Sequence, residues 1–305
     1  MPSTMWDDWT ARIAAGGVLS NDELGEAAAS PDLLSLGMLA DAARRAQRGR
    51  AVTFVRVAVV DAAEEVGPDR IGGAREVRLS GEYPGAETAC RQVAAVRARV
   101  GRLPLSAWSL ADIAADIDAR DGSGLTAVLV RLRAAGLDLV AEAPMDRLAA
   151  PEVAVAAMAE AGFPAVRLTV DKASVDDRLA LVLKARAACA AGPVAAFHPL
   201  PLVLNPFRPT TGYEDVRSVA LARLALPATA SVQVDWPRYG PKLAQVALAF
   251  GADDLCGAPA GDVAPDGPRR APLLELRRHI EAAGFDAVER DGFFRALSAA
   301  GTAGG

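Results

Sequence analysis

From about residue 51 onward the sequence alternates between two kinds of segment, and this alternation restricts the fold more than any single motif does. Short runs rich in β-branched residues and bounded by turn residues give way to Ala/Leu/Arg stretches whose apolar positions recur every three or four residues. That is the βα rhythm of a parallel sheet or barrel. The runs are TFVRVAVV (53–60), EVRLS (76–80), PLSAWS (104–109), LDLVAEA (137–143), AVRLTV (165–170), PVAAFHPL (193–200) and ASVQVDW (230–236). Between and after them the spacing predicts helices over 86–100, 109–118, 123–135, 151–162, 174–191, 212–226 and 239–250. With an eighth, weakly marked strand at ADDL (252–255), the pattern points to the α/β class and a (β/α)8 TIM-type barrel, with a doubly wound sheet as the alternative.

Local punctuation sets the boundaries. AAGLD (134–138), EAGFP (160–164) and AAGFD (282–286) each place a glycine after a helix and before a strand, as a C-terminal cap requires, so a last helix over 272–283 should lead into the short strand DAVER. Residues 5–48 read as two or three helices, with SNDEL (20–24) as an N-cap followed by acids. The chain thus divides into an N-terminal helical extension (1–50), a barrel (51–296) and a disordered tail (297–305), with the Gly/Pro-rich stretch 257–272 as a surface loop.

Composition removes whole classes of function. Among 305 residues, 33 basic side chains against 38 acidic ones give a net charge of −5, and the scattered arginines form no continuous basic face, so nucleic acid is not an expected partner. No run approaches the ~18 uninterrupted apolar residues of a spanning helix. The acidic start MPSTMWDDWTAR lacks the order of a signal peptide, so the expected location is cytoplasmic, with no membrane partner. Cys90, Cys189 and Cys256 lie 99 and 67 residues apart, which excludes a zinc ribbon or a locally encoded iron–sulfur loop, and two histidines exclude a polyhistidine site. No metal site is expected, and chemistry is left to carboxylates, arginines and aromatics.

Longer phrases carry a resemblance. TTGYEDVRSVALARLALP (210–227), VQVDWPRYGPKLAQVALAFGADDLCG (232–257) and IEAAGFDAVERDGFF (280–294), together with SLGMLADAARRAQRGRAVTFVR (35–56), LRAAGLDLV (132–140) and FHPLPL (197–202), resemble the radical S-adenosylmethionine enzymes of the futalosine menaquinone pathway and their deazaflavin-synthesis cousins. The resemblance covers roughly residues 33–294 and implies the same barrel. It also exposes departures. Where the family carries CxxxCxxC after its first strand, this chain reads VVDAAEEVGPDRIGG (59–73); the family's glycine-rich elements after the second and fourth strands are here SGE (80–82) and VAEAPMD (140–146). Three thiolates are what the family's [4Fe–4S] cluster needs. The expectation is therefore a cluster-less homologue without a required cofactor, S-adenosylmethionine binding being left open. Its role would be that of a non-catalytic partner or substrate-binding component, in a hetero-oligomer with a cluster-bearing relative. The alternatives are a cofactor-independent lyase or isomerase acting on an aromatic or nucleoside-like carboxylate, and a small-molecule binder with no partner.

A barrel places its pocket at the C-terminal ends of the strands. That rule nominates Arg56, Ser80, Glu82, Trp108, Glu142, Asp171, His198, Asn205, Arg208, Gln233, Asp235 and Trp236, with Arg238 and Lys242 on the rim that follows. Glu142, Asp171 and His198 are the catalytic candidates, as a carboxylate pair and a neutral-pH acid or base. Trp236 offers a stacking face and Arg238 a carboxylate fork. Each has an ordinary counterpart: a satisfied core histidine, carboxylates paired to Arg75, Arg147 or Arg167, and a tryptophan that caps one end of the barrel. Asp253 and Asp254 are expected to cap a short helix after Gly251, and the three cysteines to be small residues on helices or in a turn.

Overall fold

Three helices precede the first strand in the computed structural model, which describes residues 4–63, 67, 71–120, 124–203, 207, 210–261 and 273–297. They are α1 (Thr4–Ala14), α2 (Asn21–Ala29) and α3 (Leu33–Arg48). Ser20 and Glu23 form a reciprocal capping box at the start of α2, and the Asp32 carboxylate accepts the Ser35 N–H at the start of α3.

The barrel strands are β1 (Ala51–Val60), β2 (Glu76–Leu79), β3 (Leu105–Ser109), β4 (Leu139–Pro144), β5 (Val166–Val170), β6 (Val194–Pro201), β7 (Ser231–Asp235) and β8 (Asp254–Pro259). All neighbours are parallel, and β1 pairs with both β8 and β2, which closes the ring. The helices are α4 (Ala86–Val100), α5 (Leu110–Arg120), α6 (Leu125–Ala134), α7 (Pro151–Glu160), α8 (Arg178–Ala188), α9 (Gly212–Ala225), α10 (Trp236–Ala249) and α11 (Leu273–Ala282). The closed ring of eight parallel strands with flanking helices is a (β/α)8 TIM-type barrel. A ninth strand, β9 (Asp286–Glu289), pairs with Ala51–Phe54 of β1, while β2 pairs with Val57–Val60 on the same edge. The end of the chain therefore fills the N-terminal side of the ring beneath β2.

The apolar core lies mainly between the ring and its helices, where Val52, Phe54, Val77, Leu79 and Leu168 meet helix residues such as Val93, Leu129 and Val219. Inside the ring the apolar contribution is a separate small cluster, Val55, Val57 and Cys256. Helix α9 is buried along almost its whole length because the N-terminal helices cover its outer side, with Arg217 donating to the Ala28 and Ser30 carbonyls. No helix among the described residues is long and apolar enough to cross a membrane.

Three local expectations need correction. The stretch read as a loop from 257 begins as strand, since β8 runs to Pro259; Gly257 (φ 78°) makes a bulge there, and pairing of Ala258 and Pro259 with β1 overrides the turn-like composition. Asp253 and Asp254 cap no helix. Asp253 accepts from the Arg48 and Arg223 guanidiniums, and Asp254 opens β8. Helix α10 starts at Trp236 rather than 239, capped by Asp235, with a break at Gly240 (φ 78°, ψ 161°) before Pro241. The rest of the expected loop, 262–272, and the tail from 298 lie outside the described residues.

Candidate functional site in the barrel interior and mouth

Alternate residues of a barrel strand point inward, and here many of the inward ones are charged. Glu76 on β2 accepts from Arg167 on β5 at 2.9 Å, from Arg78 at 2.9 Å and from the Ser106 hydroxyl on β3 at 2.7 Å. Strands β2 and β5 are not neighbours in the sheet, so this ion pair crosses the interior. Burial by itself would raise the Glu76 carboxyl, but Arg167 and Arg78, with the Ser106 hydroxyl, outweigh it and hold the group below the usual carboxylate range.

Below this layer Asp254 takes both arms of Arg290 at 2.6 and 2.7 Å, and the Thr53 hydroxyl and Gln233 amide also donate to it. The Phe294 ring lies 3.8 Å from the Arg290 guanidinium and 5.7 Å from that of Arg167. The segment after β9 thus plugs the N-terminal end of the ring, and Gly292 lets it approach: a Cβ there would lie 2.8 Å from Pro104 Cβ.

At the opposite, C-terminal end stands the mouth. Glu142, near the end of β4, is half-buried and takes no hydrogen bond or ion pair among the described residues. Burial raises its pKa, against the pull of Arg78, Arg167 and Arg238 and with the repulsion of Asp171. A carboxyl in that condition can hold or release a proton nearer neutrality than a solvated one, and it can accept a donor from a ligand. Asp171 sits after β5 with its carboxylate 3.8 Å from Arg147 Nε, and Arg147 also donates to Asp112 at 2.6 Å. Asp235 accepts the Arg238 N–H at 2.9 Å and lies 3.6 Å from the Arg238 guanidinium. Trp108, next to last in β3, has φ 47°, a conformation that bulky side chains rarely adopt, and its ring is buried in the outer core edge-on to Tyr83 at 5.5 Å, so it presents no face to the mouth.

Other nominated residues are engaged elsewhere. His198 is buried; its Nδ1 lies 2.7 Å from the Leu200 carbonyl and its Nε2 accepts the Asp235 N–H at 3.0 Å. The carbonyl demands a proton on Nδ1 and the amide demands a lone pair on Nε2, so the ring is neutral, in one tautomer, with no nitrogen left for a ligand. Burial takes its pKa down to about 4, with Asp235 pulling the other way. Trp236 is fully buried in the outer core with its ring 5.3 Å from that of His279, and so presents no stacking face to the mouth. Arg56 points out of the ring and pairs with Glu289 at 2.6 Å. Ser80 donates to the Val60 carbonyl, Glu82 is exposed in the turn after β2, and Gln233 belongs to the layer around Asp254. Asn205 and Arg208 lie outside the described residues.

The mouth therefore brings together Glu142, Asp171, Asp235 and Arg238 from the sequence nominations, and beneath them Glu76, Arg78, Arg167 and Thr169, which sequence reasoning missed. Their signal was the alternation itself: Glu76, Arg78 and Ser80 on one run, and Arg167, Thr169 and Asp171 on another, put polar groups on the inward face of strands whose outward face is apolar.

No family model matches the chain. It is 37% identical over 94 residues to aminodeoxyfutalosine synthase of Thermus thermophilus, 28% of this chain and 24% of the relative. It is 36% identical over 93 residues to 5-amino-6-(D-ribitylamino)uracil–L-tyrosine 4-hydroxyphenyl transferase 2 of Methanosarcina barkeri, again 28% and 24%. The match spans about a quarter of the length of these curated relatives. In fold it is similar to methylornithine synthase (PylB), with a TM-score of 0.64, 16% identity, and coverage of 92% of this chain and 97% of that one. The resemblance read from the sequence therefore holds as similarity to aminodeoxyfutalosine synthase and to the hydroxyphenyl transferase, over about a quarter of this chain rather than the expected 33–294, and the fold is similar to that of methylornithine synthase through nearly all of it.

Proposed function

We propose that the chain is a cluster-less barrel that binds a small organic ligand at its mouth. In this reading it serves as the substrate-binding, non-catalytic partner of a cluster-bearing relative, in the same futalosine-dependent menaquinone route. The observation that carries the reading is the placement of the thiols. Cys90 lies on α4, Cys189 ends α8 and Cys256 lies on β8 inside the ring, so the chain's three cysteines sit on three separate elements. Burial raises the pKa of each, that of Cys189 to about 11, which opposes the thiolate form that iron requires. These residues do not fit a [4Fe–4S] cluster.

What the mouth retains is recognition chemistry: Glu142 as an acceptor, with guanidiniums below and beside it. Anaerobic iron and sulfide reconstitution, read by visible absorbance, should yield no cluster, and a tagged chain should co-purify a cluster-bearing enzyme from its native host. A cluster band would overturn the first half of the reading, and the absence of any radical-enzyme partner would overturn the second. A second reading, a cofactor-independent lyase or isomerase, is favoured by the desolvated, unpaired Glu142 carboxyl as acid or base. Its mark would be a turnover that Glu142→Gln abolishes and Asp171→Asn weakens.

A further inference from the structure

Four polar atoms of the barrel interior are buried without a hydrogen-bond partner among the described residues: Arg78 Nε, Arg167 Nε, Thr169 Oγ1 and Gln233 Oε1. Native interiors rarely leave such groups unsatisfied, and a buried charged donor without an acceptor is the costliest kind. Three of the four can donate, and those three lie on β2 and β5, whose facing across the ring is fixed by the Arg167 to Glu76 bond.

The charges agree with that polarity. Among the described residues facing the interior, Arg290 pairs with Asp254, and Arg78 and Arg167 bond Glu76, with Glu142 above them. Arg290 and Asp254 form a closed bidentate pair, so Glu76 is shared between Arg78 and Arg167, and neither guanidinium has a bonded carboxylate to itself. Val55, Val57 and Cys256 supply an apolar wall in the same interior, which suits a hydrocarbon-bearing ion better than a strongly hydrated inorganic one. Above, the unpaired Glu142 repels a second negative charge at the entrance.

We propose that the interior beneath the mouth binds a monoanion, the carboxylate end of a small organic molecule, through Arg78, Arg167 and the Thr169 hydroxyl. The site deepens the ligand-binding half of the proposed function and is independent of the partner half. The ligand enters carboxylate first, the two free Nε–H groups and the hydroxyl take its oxygens, and its outer end, next to Glu142, carries no second negative charge.

The test is thermal unfolding of the whole chain against sodium benzoate, sodium acetate and sodium chloride at matched ionic strength and fixed pH. Benzoate should raise Tm saturably, acetate should act more weakly, and chloride should do nothing beyond its ionic strength. Thr169→Val, which keeps the side-chain volume, and Arg78→Met should each raise the benzoate midpoint about tenfold or more, while Glu142→Gln lowers it. No saturable response to either organic anion, or an unchanged midpoint in Thr169→Val, overturns the site. Chloride acting as strongly as benzoate overturns the organic assignment. Co-purification of a cluster-bearing partner without any anion response removes this inference while sparing the partner reading.

Discussion

At the scale of single residues, His198 illustrates how a side chain nominated for proton transfer is committed to structure instead. Its two backbone partners specify a neutral ring, and protonation in the fold would put a charge in a buried site and break the hydrogen bond from the Asp235 N–H. The folded pKa of about 4 lies below the ordinary 6.5, so between these values the unfolded chain binds the proton and the folded chain does not. The stability tied to this residue is therefore fully present above pH 6.5 and drains away as the pH falls toward 4, a loss on the order of 3 kcal/mol. Urea unfolding at pH 7, 6 and 5 should show the decline, and His198→Asn, less stable at pH 7, should be flatter over the same window. An equally steep decline in the variant would rule the histidine out as its source. Nothing local in FHPLPL announces either partner. The same holds for Arg167, whose ion-pair partner Glu76 is 91 residues away, so the charge on the inward face was visible in the sequence and its pairing was not.

At the scale of elements, strand and helix boundaries follow the sequence periodicity closely, because a strand buried on one face and an amphipathic helix each write their own period. Besides the earlier start of α10, the exception is β8. Its GAP segment has the composition of a turn, yet Ala258 and Pro259 still pair with β1, and Gly257 forms the bulge that lets Leu255 and Ala258 of β8 align with Phe54 and Arg56 of β1. A Cβ at Gly257 would lie 2.9 Å from Pro237 Cδ, and its φ of 78° disfavours any L side chain. Gly257→Ala should therefore cost about 2 to 4 kcal/mol through combined backbone strain and overpacking. Gly284→Ala is the matched control, since Gly284 has φ 85° but open space around the missing Cβ, and it should cost only about 1 to 2 kcal/mol. Equal losses in urea unfolding would mean that the contact with Pro237 carries no weight.

At the scale of the whole molecule, the segment 286–297 covers the N-terminal end of the closed ring. The β9 segment donates to β1 through the Asp286 N–H to the Arg50 carbonyl and the Arg290 N–H to the Phe54 carbonyl, both at 2.9 Å, and Arg290 then turns its guanidinium inward onto Asp254. Because that pair is fully enclosed, either charge left alone has no solvent to fall back on, whereas removal of both leaves a neutral interior. Arg290→Met and Asp254→Asn should each cost about 3 to 5 kcal/mol, the first by stranding a carboxylate and the second a guanidinium. The double variant, in which the introduced amide oxygen accepts from Thr53 and its NH2 group donates to Gln233 Oε1 once that amide turns over, should fall short of the sum by about 2 to 3 kcal/mol. Hydrogen exchange supplies the spatial half of the test. In the parent chain the Asp286 and Arg290 amides should exchange only with global unfolding, and in Arg290→Met they should exchange through a local opening of the plug. Additive losses with unchanged exchange would mean that the terminal segment merely rests on a barrel that is complete without it. Coupling would make the plug part of the ring's cooperative unit, and through Phe294 against Arg167 it would join the closed end of the barrel to the open one.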